Sequence, residues 1–207
     1  MPSDFPKSCY VVDDDQPFRE SIIALVSAAG YACRGFASGA EFLAAASGLS
    51  PGTVLLDLRM PGVNGLDLLE GAGEQLEQFA VVMISGHGHI ERAVRSIRAG
   101  AIEFIEKPFD PEQLLALLEA ANDGLALKIV QSTERREAQA KVGTLSPREL
   151  EVLRLLLTGA PNKVVARTFN LSVRTVEMHR AHMLAKLEAR STAYALHIAM
   201  LANVPPW

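Results

Sequence analysis

Short apolar runs set the rhythm of the first half of the chain. Cys9-Tyr10-Val11-Val12 ends in Asp13-Asp14-Asp15, and Thr53-Val54-Leu55-Leu56 ends in Asp57. Ala80-Val81-Val82-Met83-Ile84 ends in Ser85, and Ala101-Ile102-Glu103-Phe104-Ile105 leads through Glu106 to Lys107-Pro108. Runs of this length, closed by polar or turn-forming residues, predict buried strands that end in loops. Tyr31–Ala37 is a poorer strand candidate, because Arg34 and Gly35 interrupt it. Between the runs the apolar spacing becomes helical. It marks Phe18, Ile22, Ile23, Leu25 and Val26, then Phe42 and Leu43, then Leu66, Leu68, Leu69 and Leu76. It continues with Ile90, Ala93, Val94 and Ile97, and with Leu114, Leu115, Leu117 and Leu118. Gly30 suits the stop of the first helix and Ser38 the cap of the second. Five repeats of strand then helix predict a parallel sheet covered on both faces.

Beyond about Asn122 the pattern weakens into the charged stretch Ser132–Lys141, which lacks Pro. Residues 123–141 read as a solvated linker or as a helix continuing the fifth. Order restarts at Leu145-Ser146-Pro147-Arg148-Glu149, where Ser146 caps a helix, Pro147 takes its first position and Glu149 completes a capping box. That helix carries Leu150, Val152, Leu153, Leu156 and Leu157 and stops at Gly159. A short helix over 162–169, the turn Asn170-Leu171-Ser172, a helix from Val173 to about Leu187 and a last one from about Thr192 to Ala202 follow. The expected division is a front domain at 1–122, the connecting segment, and an all-α four-helix domain at 142–207.

Size and charge sharpen this. A chain of 207 residues accommodates two modest domains, each burying its own core. No stretch approaches 18 consecutive apolar residues and no basic leader precedes an apolar core, so neither a membrane span nor a secretory signal is expected, and the location expected is cytoplasmic. The net charge of −4 conceals an asymmetry: residues 1–122 carry 8 Lys/Arg against 17 Asp/Glu, whereas residues 142–207 carry 8 against 4. An acidic front and a basic rear suggest different partners, with a polyanion for the rear. Cys9 and Cys33 both fall in predicted strands and read as buried apolar side chains rather than a disulfide or metal site.

If the strands are parallel, Asp13, Asp14, Asp57, Ser85 and Lys107 all reach one edge of the sheet, at the carboxyl ends where open α/β sheets bind ligands. Clustered carboxylates take up protons unless a cation compensates, and a hard divalent ion such as Mg²⁺, or Mn²⁺, suits oxygen ligands. Metal, ammonium and hydroxyl around one carboxylate form a cradle for a phosphoryl group, with Asp57 as the nucleophile. The blander reading makes a lone Asp after a strand a turn former and a lone Lys before Pro a surface residue. Asp15 reads as a helix cap rather than a third ligand, and His87 and His89 as loop residues. A phosphatase of the Asp-x-Asp kind does not fit, since Arg59 stands two residues after Asp57. Arg59 and His87, by position alone, are candidates for controlling access of water to a phosphorylated Asp57.

The segments Val11–Asp15, Leu56–Gly62, Ile84–Gly88 and Phe104–Phe109 together resemble the receiver domain of two-component response regulators, in order and spacing over residues 8–122. That resemblance implies a flavodoxin-like sheet of order 2-1-3-4-5 and a phosphoacceptor at Asp57. It implies Mg²⁺ on Asp13, Asp14, Asp57 and the Arg59 backbone carbonyl, with Lys107 against the phosphoryl group. Ser85 and Phe104 would form the switch pair, and the Lys107-Pro108 bond would be cis.

The two rear helices at 162–169 and 173–187 have the lengths of a helix-turn-helix, whose second helix enters the major groove. Val176, Met183, Leu184 and Leu187 face the core, while Arg174, Met178, Ala181 and His182 face outward with Thr175 and Glu177 at the sides. Such a face suits base readout, and Lys163, Arg167 and Arg180 are placed as phosphate contacts. An ordinary amphipathic bundle accounts equally well for the spacing alone. Leu145–Leu153, Gly159-x-x-Asn162-Lys163 and Leu171–Arg180 resemble the LuxR-type DNA-binding domain over residues 143–204, with Val165 and Pro161 as mild departures. In that family Glu177, Met178 and Ala181 occupy base-reading positions, and the last helix (Leu196, Ile198, Met200, Leu201) is a dimer contact. Together the resemblances imply a signalling and DNA-binding protein of the FixJ/NarL type rather than an enzyme, although the receiver assists its own phosphotransfer and dephosphorylation. A sensor histidine kinase would phosphorylate it. A homodimer paired through residues 89–106 would bind double-stranded promoter DNA, with RNA polymerase as a further contact and activation the commoner outcome. The alternatives are an adaptor whose rear bundle binds protein and a regulator indifferent to phosphate.

Overall fold

The computed structural model describes residues 7–86 and 90–207, and the chain divides into two units, Met1–Ile129 and Val130–Trp207. In the first, the strands β1 (Ser8–Val12), β2 (Ala32–Phe36), β3 (Gly52–Asp57), β4 (Phe79–Ser85) and β5 (Glu103–Glu106) form one parallel sheet of order β2-β1-β3-β4-β5. The central strands β1, β3 and β4 are buried along their whole length, which is why their sequences are continuous apolar runs rather than alternating ones. The helices between them are α1 (Gln16–Ala28), α2 (Gly39–Ala46), α3 (Gly65–Ala72, followed by one 3-10 turn) and α4 (Ile90–Arg98). Two apolar clusters cover the two faces of the sheet. One is built on Tyr10, Phe36, Phe42, Leu56, Phe79 and Met83. The other is built on Val11, Leu55, Ile84, Ile22, Val26, Leu114 and Leu118.

Local chemistry sets the boundaries. Asp15 caps α1 through Phe18 N, and Ser38 caps α2 through Glu41 N. Asn64 caps α3 by accepting from Leu66 N and Asp67 N. Gly30, at φ +89°, ends the turn after α1 in the left-handed region that β-carbons resist.

Two features go beyond the local pattern. The fifth helix, α5 (Pro111–Gly143), runs without interruption through residues 123–141, the helical one of the two readings of that segment, and the division between the units falls within it, between Ile129 and Val130. Its Ala, Leu, Glu, Gln, Lys and Arg content favours that continuation, and Gly124 is the one strong dissenter before its end. The helical spacing of Ile90, Ala93, Val94 and Ile97 does not put these residues in the core. Ile90, Val94 and Ile97 are exposed, Ile90 at 84%, and Ser96 is the residue that is buried. Periodicity identifies an apolar stripe but not which side of the helix has the sheet beneath it.

The second unit contains α6 (Pro147–Leu157), α7 (Asn162–Phe169), α8 (Val173–Lys186) and α9 (Thr192–Leu201). The capping box of Ser146 and Glu149 is formed in both directions. Asn170, at φ 54°, closes α7 in the left-handed region, and Ser172 caps α8. Val152, Leu153, Val165, Val176, Met183, Leu187 and Ile198 form the core, joined by Ala138 from the last turns of α5.

Candidate functional site

The parallel register brings the loop ends of β1, β3 and β5 to one rim. Asp13 and Asp57 are both buried there, and Lys107 Nζ donates to Asp13 Oδ2 at 2.7 Å and to Asp57 Oδ1 at 2.8 Å. Asp57 Oδ2 accepts from Arg59 N at 2.6 Å, and Asp13 Oδ1 from Asp15 N at 2.9 Å. The Lys107-Pro108 bond is cis as expected, and Lys107 N donates to Ser85 O at 2.8 Å, which fixes the start of the lysine loop beside β4.

The electrostatics follow from burial and charge. Withdrawal from water pushes the Asp57 carboxyl up, the Asp13 charge adds to the rise, and Lys107 opposes it. Burial acts against the charge on Lys107, yet its bonds to Asp13 and Asp57 outweigh that and hold it above the usual lysine range. The ammonium therefore stays charged and bridges two acids that would otherwise repel. Its Nζ also lies 3.7 Å from the centroid of the Phe18 ring, which packs edge-on against Phe109. Arg19 Nη1 donates to Asp13 O at 2.6 Å. Phe18 was legible only as an apolar helix position, and nothing in the sequence pairs it with Lys107.

Not every candidate joins this cluster. Asp14 is exposed, and among the described residues no group of three His, Cys, Asp or Glu side chains is placed to hold a metal ion. One ammonium, that of Lys107, bridges the two buried carboxylates, and the exposed Asp14 takes no part in that bridge. The donors at this rim are nevertheless carboxylate and carbonyl oxygens, the set a hard divalent ion prefers. Ser85 is buried at the end of β4, Phe104 is half-buried on β5, and Arg59 is exposed. His87 and His89 lie outside the described residues.

In the second unit α8 presents Arg174, Glu177, Met178, Ala181 and His182 to solvent, while Val176 and Met183 are buried. Thr175 is half-buried, and its Oγ1 lies 2.8 Å from Ser172 Oγ within the cap. Lys163 and Arg167 are exposed on α7. Arg180 departs from expectation: its Nη1 donates to Asn162 Oδ1 and its Nη2 to Thr192 Oγ1 at 2.6 Å, tying α8 to the first residues of α7 and α9. Two of its N–H donors are thereby engaged inside the domain. Glu149 Oε2 accepts from Ser146 N and Lys186 Nζ, both at 2.7 Å, anchoring the C-terminal end of α8 to the start of α6. Of the last-helix residues, Ile198 is buried and Met200 is exposed, beside an exposed Tyr194 that the spacing did not single out.

A doubly wound sheet with paired acids and a lysine at its carboxyl rim, together with a separate helix-turn-helix unit, defines a class that comparison makes specific. A family model described as the response regulator receiver domain matches residues 9–119, and one described as bacterial regulatory proteins, luxR family, matches residues 143–199. The chain is 36% identical to the transcriptional regulatory protein FixJ of Bradyrhizobium diazoefficiens, covering 94% of this chain and 95% of that one. It is 35% identical to the C4-dicarboxylate transport transcriptional regulatory protein DctR of Rhodobacter capsulatus, over 89% and 94%. Among solved structures it resembles the response regulator StyR (TM-score 0.76, 33% identity, 94% and 98% covered) and full-length FixJ from B. japonicum (TM-score 0.60, 36% identity, 96% and 98% covered). The chain belongs to the FixJ-like response regulators, transcription regulators that join a receiver to a LuxR-type DNA-binding domain.

Proposed function

We propose that Asp57 accepts a phosphoryl group from a partner histidine kinase and that its phosphorylation controls promoter binding by α8. The observation that carries this reading is the buried Asp57 carboxylate, held by Lys107 in common with Asp13 at the carboxyl rim of the sheet. An Asp57 oxygen attacks phosphorus, the bond to the donor nitrogen breaks, and an acyl phosphate forms. Lys107, already charged and in contact with Asp57, moves one of its hydrogen bonds to the new phosphoryl oxygens. Asp13, Asp14, Asp57 and the Arg59 carbonyl would hold Mg²⁺ or Mn²⁺, which when bound supplies charge neutralisation to the phosphoryl group. Ser85 reaches the phosphoryl group from β4, and Phe104 turns into the space beside it.

The readout is pairing of receivers through the exposed apolar face of α4 (Ile90, Val94, Ile97) with Ile102 beyond it. Two LuxR-type domains are then presented to a two-fold DNA site, and transcription is activated through contact with RNA polymerase. On α8, Glu177, Met178 and Ala181 read base edges with Arg174, Thr175 and His182 beside them, and Lys163 contributes phosphate contact.

The test is mass in solution and binding to duplex DNA, each with and without a small phosphodonor plus Mg²⁺, for the wild type and for Asp57→Asn and Asp57→Glu. The expected result is a donor-dependent dimer with tighter DNA binding that Asp57→Asn abolishes. DNA binding that ignores both donor and substitution overturns the phosphate control. Binding that does not weaken steeply with salt favours an adaptor over a DNA reader.

A further inference from the structure

Cys9 and Cys33 stand 24 positions apart in the sequence, yet they are direct register partners on the adjacent parallel strands β1 and β2. Register partners on neighbouring strands lie about 4.8 Å apart, inside the range of Cα separations that a disulfide spans. Their side chains share a face of the sheet: Cys9 lies in the cluster with Val11, Ile22, Val26 and Leu118, and Cys33 packs against that cluster. Both are free thiols, Cys9 fully buried and Cys33 half-buried. The two side chains are close enough to perturb each other's protonation, and the Ser27 side chain at the end of α1 also bears on Cys33. On the other side of Cys9 its register partner on β3 is Thr53, whose buried hydroxyl has no partner among the described residues.

We infer that Cys9 and Cys33 form a reversibly oxidisable dithiol, a redox-modification site on the receiver away from the phosphoacceptor rim. The roles of the two sulfurs differ. Cys33 is half-buried on the edge strand β2, so it is the sulfur that an oxidant in solvent reaches and the one that attacks, and its Cys9 neighbour holds its thiol below the usual range. Cys9 is fully buried, so solvent does not reach it and it is held in reserve, its thiol pushed up by its Cys33 neighbour and by burial. With a peroxide as oxidant, the Cys33 sulfur attacks one peroxide oxygen, the O–O bond breaks, and a sulfenic acid and water form. The Cys9 sulfur then attacks the Cys33 sulfur, and its proton leaves with the sulfenic hydroxyl as a second water. Two thiols and one peroxide thus give one disulfide and two waters, and the Thr53 hydroxyl is the nearest donor by register for the Cys9 sulfur as it loses its proton. The product ties the edge strand β2 to β1. Parallel neighbours hold their β-carbons near the strand spacing, wider than an unstrained disulfide prefers, so a dithiol reductant reverses the bond readily.

The experiment uses the full chain, reduced, freed of reductant and treated with hydrogen peroxide while folded. It is then unfolded, alkylated with a maleimide and weighed intact. The expected product has lost two hydrogens and both alkylation sites, runs as a monomer on a non-reducing gel, and regains both sites after dithiothreitol. Cys9→Ser is expected to stop at the sulfenic acid, trapped by dimedone at Cys33. Cys33→Ser is expected to leave Cys9 fully alkylatable. Two alkylatable thiols remaining in the treated wild type, a sulfenic acid that persists there, or a disulfide only between chains each overturns the inference, and none of these depends on whether a variant folds.

Discussion

Glu149→Gln isolates one buried charge. Glu149 is 4% exposed, accepts from Ser146 N and from Lys186 Nζ, and joins α8 to the first turn of α6. Burial alone would raise its carboxyl, but the Lys186 ammonium and the Ser146 hydrogen bonds outweigh it and bring it from 4.5 to about 2. A shift of that size corresponds to about 3 kcal/mol of preference for the charged form in the folded state. Lys186 is 41% exposed, so solvent screening reduces the useful part to about 2 kcal/mol. Glutamine can still accept from Ser146 N as a capping-box residue, and Lys186 can turn to water, so the charge is what the substitution removes. The sign follows from the depressed folded value: the contribution is complete above the unfolded carboxylate range and is lost as pH falls from about 5 towards 2. The wild type should therefore exceed the variant by about 2 kcal/mol at pH 7 and by about 1 kcal/mol or less at pH 3.5. The assay is urea unfolding of the full chain followed by fluorescence of Trp207, the single tryptophan, which packs edge-on against Phe169 in the second unit. Because the comparison is a difference, groups common to both proteins cancel. A gap that stays the same at both pH values, or no gap at pH 7, refutes the electrostatic account of this anchor.

Lys107→Met leaves Asp13 and Asp57 buried together without a cation, and the receiver should lose about 2–3 kcal/mol of stability in denaturant. Mg²⁺ should restore more of that loss than it adds to the wild type, and no metal effect in either protein would argue against an ion at this rim. Gly65→Ala places a β-carbon against the Asp57 carbonyl oxygen, a backbone atom that cannot step aside. Phosphorylation from a small donor should fall at least tenfold, with a receiver less stable by about 1–3 kcal/mol by thermal unfolding. Arg180→Ala should weaken specific DNA binding while leaving the slope of affinity against salt unchanged, because its donors serve Asn162 and Thr192. A slope lower by about one would make it a phosphate contact after all.

What could be read along the chain was whatever depends on local pattern. The strand runs ending in Asp13, Asp57, Ser85 and Lys107 announced the sheet, and parallel register then placed Asp13, Asp57 and Lys107 at one rim. Ser38, Ser146 and Ser172 announced helix starts because a cap is a contact between residues three apart. What could not be read depends on orientation and on long-range partners. The same helical spacing describes α8, whose stripe of Val176 and Met183 is buried, and α4, whose stripe of Ile90, Val94 and Ile97 is exposed. Arg180 looked like any other basic residue of a DNA-reading helix until Asn162 and Thr192 closed on it. Cys9 and Cys33 looked like isolated apolar residues because only the β1–β2 register makes them neighbours.

The outward stripe of α4 also bears on how a phosphoryl group could govern pairing, if the reading of Asp57 holds. Covering the exposed parts of Ile90, Val94 and Ile97 is worth about 3 kcal/mol per subunit, or about 6 kcal/mol for a symmetric pair. Association costs about 4–15 kcal/mol in lost freedom before any other term, so this surface alone leaves a pair near balance rather than locked. The seat of α4 is also weak: Ser96 is its buried residue, and that hydroxyl lacks a partner among the described residues. A helix with so little apolar anchorage shifts for a small free energy, and a pair near balance is tipped by a few kcal/mol. A strongly apolar inner face would have fixed α4, and a larger outer patch would have made a dimer that ignores phosphate. The arrangement of α4 fits neither extreme, which is the condition a switch at Asp57 requires.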